Sequence, residues 1–389
     1  SRHHKKHQTP TYTMRIAVIA DDLTGALDTG VQFTQWGYTT QLTNDPEHST
    51  AEVTITNTDT RNKSPKEAYQ TTYNIAKQLT HTIIYKKLDS TLRGNPGPET
   101  QAILDATGET HAILTPTYPP TGRRVQDGHL YIHDTPITQT EYINEYRHTT
   151  SHIPEILQTQ AHITKNPENL KPGINIIDAA TEKHLTEITK NRTRVLAGSA
   201  GLADALCQTL RNPPPVITII GSMRTQTRIQ AKQLETRLGA TIIPLDTIKA
   251  LHETPQSETV KEAEEALKLG RDIVITSTPS PETIEQTKTE AQRMGLTTEE
   301  LEKRVTHTLA ETTETLLKHK TAGLILTGGA TALAVTERLA VKNIEILDEV
   351  EPGIPVLRLD QTPAVTKAGG FGQPDALIRA TKYLKRKHR

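Results

Sequence analysis

Short apolar runs recur along this chain, most of them followed by Gly, Asp or Ser and then by a longer amphipathic stretch. In the first half they occupy 15–20 (RIAVIA), 51–56 (AEVTIT), 82–88 (TIIYKKL), 111–115 (HAILT), 173–178 (GINIID) and 194–197 (RVLA). In the second half they occupy 216–220 (VITII), 240–245 (ATIIPL), 272–276 (DIVIT), 323–326 (GLIL) and 354–359 (IPVLRL). Runs apolar at consecutive positions read as strands buried on both faces of a parallel sheet. Helical patterns lie between them, for example at 260–269 and 299–320. Alternating strand and helix predicts two α/β domains, each with a mostly parallel sheet flanked by helices.

The best boundary is RNPPPV at 211–216, because three consecutive prolines cannot continue a helix and form a stiff spacer. It separates 14–211 from 212–389, and at 389 residues two domains are the natural division. Met14 directly precedes the first strand-like run, so residues 1–13 (SRHHKKHQTPTYT) read as a disordered or vector-derived extension. A basic arm used in assembly is the alternative. The last residues, KYLKRKHR, read as a solvated helix end that complements the helix dipole.

Charge and composition exclude several classes of function. Lys plus Arg and Asp plus Glu each total 45, so the formal net charge is zero. A general nucleic-acid binder needs surplus cations to displace counterions from phosphates. Aromatic residues make up only 3%, too few for a base-stacking platform. Cys207 is the single cysteine, which fits a reducing, cytoplasmic location and leaves no Cys-based zinc site. No apolar stretch approaches the ~20 residues of a membrane helix, so no membrane partner is expected.

Chemistry is concentrated after the strand-like runs. In IAVIADDLTGALDTG (16–30), Asp21 and Asp22 follow a buried strand, and Thr24 and Gly25 lead into a helix bearing Asp28. Ligands of open α/β sheets bind outside the carboxyl ends of strands. Two carboxylates there can accept hydrogen bonds from a polyol or hold a cation; a helix cap alone would use only one. A haloacid-dehalogenase type of phosphatase would need Asp-x-Asp, and the spacing fails, with Ala20 and Leu23 at the required positions.

YKKLDSTLRGNPG (85–97) crowds Lys87, Asp89, Ser90, Arg93 and Asn95 at the end of another strand. Period two puts Lys87 and Asp89 on one side of it. The cation keeps the carboxylate ionised, and Arg93 offers a fork for a carboxylate or phosphate. A structural salt bridge beside a Pro/Gly turn is the plainer reading. NTDTR (57–61) brings Asn57 and Arg61 toward the same cleft, or carries only the Arg of an exposed loop. PTYPPTGRRVQDGHLYI (116–132) reads as a shaped loop with Tyr118, Arg123 and His129 as candidate contacts, although a lone His such as His129 reads better as a satisfied surface or core side chain.

The second half offers three strand-to-helix junctions rich in small residues: 217–230 with Ser222, 324–335 with Gly328, Gly329, Ala330 and Thr331, and 365–377 with Lys367, Gly369 and Gly370. Free amides at a helix start bind anions, and glycine lets a phosphate approach the backbone. Pro374 suits a first helical position, and Lys367 adds a point charge on a terminal phosphate. Three such junctions point to a nucleotide polyphosphate. Gly-Lys does not occur, so there is no Walker A loop, and Gly370-x-Gly372 lacks the third Gly of a dinucleotide fold.

ADDLTGALD, NTDTR, KKLDSTLRGN, PTYPPTGR with GHLY, AGSAGLA, GS followed by Gln230, GGATA, PGIP and KAGGFG occur in this order from about Arg15 to Leu377. In these motifs the chain resembles the four-carbon acid sugar kinases. The resemblance implies an N-terminal domain that binds a sugar acid and a C-terminal domain that binds ATP. It implies phosphorylation of the terminal hydroxyl of D-threonate, D-erythronate or 3-oxo-tetronate. The third position of the GGATA loop is often acidic in such kinases; Ala330 here puts a metal role for it in doubt.

The mechanism expected on these residues has Arg61, Lys87 and Arg93 neutralising the substrate carboxylate. Asp21, Asp22 and Asp89 bind its hydroxyls, with Thr24, Ser90 and Asn95 beside them. Asp22 or Asp89, with Asp22 preferred, takes the proton of the attacking hydroxyl. ATP sits on Ser222, Gly328–Thr331 and Gly369–Gly370 with Mg²⁺ on its phosphates and no metal ligand from the protein assigned. Closure of the halves across the Pro-rich joint expels water. A homodimer is compatible with this scheme. A sugar-acid sensor without catalysis and a sugar-phosphate hydrolase are the alternatives.

Overall fold

A computed structural model of the chain describes residues 14–145 and 149–388; the extension expected at 1–13 lies outside the described residues. The chain forms two compact units, one ending at Arg211 and the other beginning at Asn212.

The first unit is built on strands β1 (Ile16–Ala20), β2 (Thr40–Leu42), β3 (Val53–Asn57), β4 (Ile83–Lys87), β5 (His111–Thr115), β6 (Arg123–Gln126), β7 (His129–Ile132), β8 (Thr135–Pro136), β9 (Ala161–Ile163), β10 (Gly173–Ile176) and β11 (Val195–Gly198). Eight of them form one sheet in the order β2-β3-β1-β4-β11-β5-β10-β9, every pair parallel. Why β1 is apolar throughout is visible in its packing. Ile16, Val18 and Ala20 join Phe33 and Tyr85 in one core, while Ala17 and Ile19 join Ile84, Leu88 and Ile103 in another. A strand covered on both faces needs apolar side chains at odd and even positions alike.

The chain leaves β1 for β2 and β3 on one side and for β4 on the other. That reversal is the switch point at which open α/β sheets bind ligands. Ala20 is in register with both Asn57 and Lys87, so β1, β3 and β4 end level and their following loops are neighbours.

The second unit holds β12 (Val216–Ile220), β13 (Thr241–Pro244), β14 (Ile273–Thr276), β15 (Gly323–Thr327), β16 (Ile344–Glu351), β17 (Ile354–Leu359) and β18 (Thr362–Lys367), ordered β13-β14-β12-β15-β18-β17-β16. The first five are parallel, and β18, β17 and β16 pair antiparallel. Ile220 is in register with Thr327, and Thr327 with Lys367, so these three strands also end side by side.

Three expectations are corrected. Residues 123–136 are a three-stranded antiparallel sheet, β6-β7-β8, not an unstructured loop. Asp127 (φ 50°) and Gly128 (φ 74°) make the two-residue turn that matches strand twist, the signal an Asp-Gly pair carries. The run 354–359 is an arm of an antiparallel hairpin whose partner, β16, is largely exposed and charged, and so had no apolar signature. Finally, the basic C-terminus is not wholly solvated. In the helix Ala376–Lys387, Lys385 pairs with Asp272 at 2.7 Å with both side chains buried.

Candidate functional site

In the first unit the helix Leu23–Gln35 starts directly after β1, and Asp22 caps it, its Oδ1 accepting from the Gly25 amide at 3.1 Å. The capping role is therefore real, but Asp22 has a second partner. Arg61, from the loop after β3, donates from Nη2 to the same oxygen at 2.7 Å. It also grips Asp21 with two hydrogen bonds of 3.0 Å, from Nε and Nη2. Its Nη2 lies 3.9 Å from Asp89. Asp89 follows β4 and holds Arg93 in a fork, with Nε at 3.1 Å and Nη2 at 3.0 Å. Four acids, counting Asp28, thus face three bases, Arg61, Lys87 and Arg93, as the charge interactions of Lys87 and Arg61 attest.

Exposure ranks these groups. The Asp21 side chain is 3% exposed and that of Asp22 24%. Arg93 is 38% exposed, against 18% for Arg61. Asp21 is therefore an internal anchor, and Asp22 and Arg93 form the accessible side of the cluster. Ser90 is half-buried and Thr24 exposed.

Burial alone would raise the Asp89 carboxyl. Hydrogen bonds from Arg93 and Thr91 and the charges of Arg93 and Arg61 outweigh it and hold Asp89 well below the usual carboxylate range. A carboxylate held that low is a weaker proton acceptor than an ordinary one. Asp28 is pushed up by burial, with Lys87 opposing and Asp22 adding to the rise. Burial lowers Lys87, while Asp89, Asp28 and Asp21 pull it back. Its ammonium donates to the Leu88 carbonyl at 2.6 Å.

Two expected contacts are engaged by the protein itself. The Arg61 fork is taken by Asp21 and Asp22. Asn95 is buried and donates to the carbonyls of Thr60 at 3.2 Å and Lys63 at 3.0 Å, pinning the loop that carries Arg61. Tyr118 lies in the turn before β6, where its amide donates to the Arg123 carbonyl at 2.9 Å. Arg123 stacks on Tyr142 at 5.1 Å, and the His129 Nδ1 lies 2.9 Å from the Ser151 hydroxyl.

Sequence reasoning missed the roles of four groups beneath the site. Lys86 and Glu99 form a buried ion pair at 2.9 Å, both 1% exposed, and Thr60 donates to Glu99. Period two did place Lys86 opposite Lys87, but nothing local named its partner. The other two are glycines. A Cβ on Gly25 would lie 2.6 Å from Asp22 Oδ1 and 3.3 Å from Lys87 Nζ. One on Gly94, at φ +87°, would lie 2.7 Å from Asp21 Oδ2.

In the second unit the three glycine junctions converge. A Cβ on Gly369 would lie 2.1 Å from Ser222 Oγ, and one on Gly221 would lie 1.9 Å from Thr331 Oγ1. The Gly328 amide donates to the Lys367 carbonyl at 2.9 Å. Gly328 caps the helix Gly329–Arg338 at φ 95°, leaving first-turn amides without intrahelical acceptors. Two details differ from expectation. Pro374 is not at a first helical position, because the helix begins at Ala376 after an Asp375 cap. Lys367 does not reach outward. It is 3% exposed, beneath the loop, and donates to the carbonyls of Ala368 at 2.9 Å, Gly369 at 3.2 Å and Phe371 at 3.1 Å. Burial lowers its ammonium to about 8, against the pull of Glu351.

The family described as a sugar-binding N-terminal domain matches residues 16–206, and that described as a nucleotide-binding C-terminal domain matches 217–377. The chain is 31% identical to a D-threonate kinase of Bordetella bronchiseptica, over 95% of this chain and 97% of that one. It is 28% identical to a D-erythronate kinase of Heliobacterium modesticaldum, over 95% and 97%. A crystal structure of a domain of unknown function from Bordetella bronchiseptica, a domain-swapped dimer with bound citrate, superposes with a TM-score of 0.60 at 29% identity. It covers 96% of this chain and 99% of its own.

Proposed function

The chain belongs to the four-carbon acid sugar kinase family, and from that premise we propose that it transfers the γ-phosphoryl group of ATP to the terminal hydroxyl of D-threonate, D-erythronate or 3-oxo-tetronate, giving the 4-phosphate. The observation that carries this reading is the acid–guanidinium cluster at the β1/β3/β4 switch point, in the half that matches a sugar-binding domain.

The substrate carboxylate meets Arg93, which Asp89 orients, and the hydroxyls of Ser90 and Thr24 bind the polyol beside it. Lys87 is the buried cation that keeps the surrounding carboxylates ionised. Asp21 and Arg61 fix Asp22, the most accessible acid of the trio Asp21, Asp22 and Asp89. As the terminal oxygen bonds to the γ-phosphorus, the bond to the β,γ-bridging oxygen breaks and ADP leaves. The hydroxyl proton passes to Asp22 and then to solvent. Phosphoryl transfer asks mostly for alignment and charge neutralisation. Direct transfer needs acceptor and donor about 3–3.5 Å apart in the productive complex. Mg²⁺ belongs to the reading as the counter-ion of the triphosphate, part of the substrate. The triphosphate takes Ser222, Gly328–Thr331 and Gly369–Gly370. A homodimer and a cytoplasmic location complete the reading.

An ADP-release assay with a panel of four-carbon sugar acids tests it. One or more tetronates should turn over. Ligand-induced stabilisation without ADP release would make the protein a sensor, and phosphate release from a sugar phosphate without nucleotide would make it a hydrolase. Either result overturns the proposal.

A further inference from the structure

The glycine loop after β18 has its carbonyls turned inward, and they are held there by side chains from two elements. Lys367 Nζ, at the end of β18, takes the carbonyls of Ala368, Gly369 and Phe371. Three residues of the helix Thr225–Gln233 supply the rest. Thr227 Oγ1 donates to the Gly369 carbonyl at 2.8 Å. Gln226 Nε2 donates to Gly372 at 2.8 Å. Gln230, fully buried, spreads its Nε2 over the carbonyls of Phe371 at 3.1 Å, Gly372 at 3.2 Å and Gln373 at 2.9 Å.

A trans peptide sets its C=O and the next N–H in opposite directions. There are no cis bonds among the described residues. Carbonyls of Ala368, Gly369 and Phe371 drawn inward therefore turn the amides of Gly369, Gly370 and Gly372 outward. The Gln373 amide is spoken for, donating to Glu351 at 2.9 Å. Ser222 sits close to this loop at Gly369, where an added Cβ would collide with its Oγ.

We propose that Lys367 is a positioning residue for the nucleotide: with Gln230 it holds the loop 368–373 inside out, so that backbone amides and not the lysine meet the phosphate. This rests on the kinase reading above and adds a specific division of labour to it. A buried cation draws in the carbonyls of Ala368, Gly369 and Phe371, and a charged donor does so more strongly than a neutral one. The Phe371 carbonyl is shared, 3.1 Å from both Lys367 Nζ and Gln230 Nε2, so the two residues act on one object.

The test is a double-mutant cycle on nucleotide binding, read by calorimetry with ADP and by the KM for ATP. Lys367→Met and Gln230→Ala should each weaken ADP and raise the ATP KM roughly 10-fold to 100-fold, the range for losing hydrogen bonds to a charged group. The sugar-acid KM should stay unchanged. The double variant should be scarcely worse than the worse single one, because the loop is already released. If the two effects multiply, Lys367 touches the phosphate on its own and the inference fails. Should Lys367→Met not fold, Lys367→Gln, which keeps a neutral donor beneath the loop, takes its place in the cycle with Gln230→Ala, with sub-multiplicative losses expected and multiplicative ones contrary. A wild-type chain that binds neither ADP nor ATP overturns the kinase reading itself; a wild type that binds both, with variants unaffected, overturns this inference alone.

Discussion

Arg61 and Asp21 form a two-pronged pair, Nε to Oδ2 and Nη2 to Oδ1, each at 3.0 Å, with the Asp21 side chain almost sealed from solvent. The same guanidinium reaches Asp22 at 2.7 Å. The pair ties the end of β1 to the loop after β3 and leaves Asp22 as the accessible acid. It also explains how carboxylates of like charge sit together: each is neutralised by a cation that the fold supplies, before any ligand arrives.

Asp22→Asn should lower turnover at least ~100-fold, the usual scale for losing a positioned base. Asparagine caps a helix about as well as aspartate, so the thermal midpoint should hold. Asp89→Asn should lower turnover by a similar factor through Arg93, with the KM of the sugar acid rising. Steady-state kinetics beside a melting curve separate the two. Near-normal turnover in both variants would remove the assigned roles.

Gly94→Ala combines a left-handed backbone (φ +87°) with a Cβ only 2.7 Å from Asp21 Oδ2. It should destabilise by about 1–3 kcal/mol and raise the sugar-acid KM. Gly270→Ala is the control, with φ +71° and no atom within 4 Å of its Cβ, so it should carry the backbone cost alone. Urea titration and kinetics on both proteins check this. Equal KM values for the two variants would count against the role given to Gly94.

Lys86→Met should be among the most damaging single changes, because it strands the Glu99 carboxylate in a site 1% exposed. Breaking a buried pair costs about 3–5 kcal/mol. Adding Glu99→Leu should recover much of that loss. Denaturant midpoints of the three proteins decide it, and a double variant no better than the single one would show that the pair's charges are not the reason for the cost.

His81 gives a pH prediction. Burial first, then the charges of Arg15 and Arg194, lower its imidazole from 6.5 to about 4. Both ring nitrogens lack partners among the described residues. The folded state therefore keeps His81 neutral while the unfolded chain takes up a proton below about pH 6.5. Stability should fall as pH drops from 6.5 and level off below the folded value near 4, by an amount on the order of 2–3 kcal/mol. His81→Leu should abolish that part of the acid dependence. Parallel curves for wild type and variant between pH 7 and 4 would sink the assignment.

Much of the fold was legible because both faces of the two sheets are buried. The run IAVIA at β1 and the run VITII at β12 carry their burial in consecutive apolar letters. Strand β16 does not, since its residues IEILDEVE lie at a sheet edge, mostly exposed. In the site, Asp22, Arg61, Asp89 and Arg93 were identifiable because they stand just past strand ends, where ligands of such sheets bind. Their pairings were not. Arg61 is 40 residues from Asp21 along the chain, and Lys86 meets Glu99 from the other face of β4.

The order of apolar runs, the acids after β1 and the glycines after β12, β15 and β18 determined by themselves that this chain makes two α/β halves with chemistry at their carboxyl edges. Periodicity and turn chemistry act over a few residues, so they can be read locally. Which cation serves which acid, and whether Lys367 points toward a phosphate or beneath the loop, was decided only by the tertiary structure. Strand order and register bring those groups within hydrogen-bond distance, and a contact at 3 Å has no signature in residues tens of positions apart.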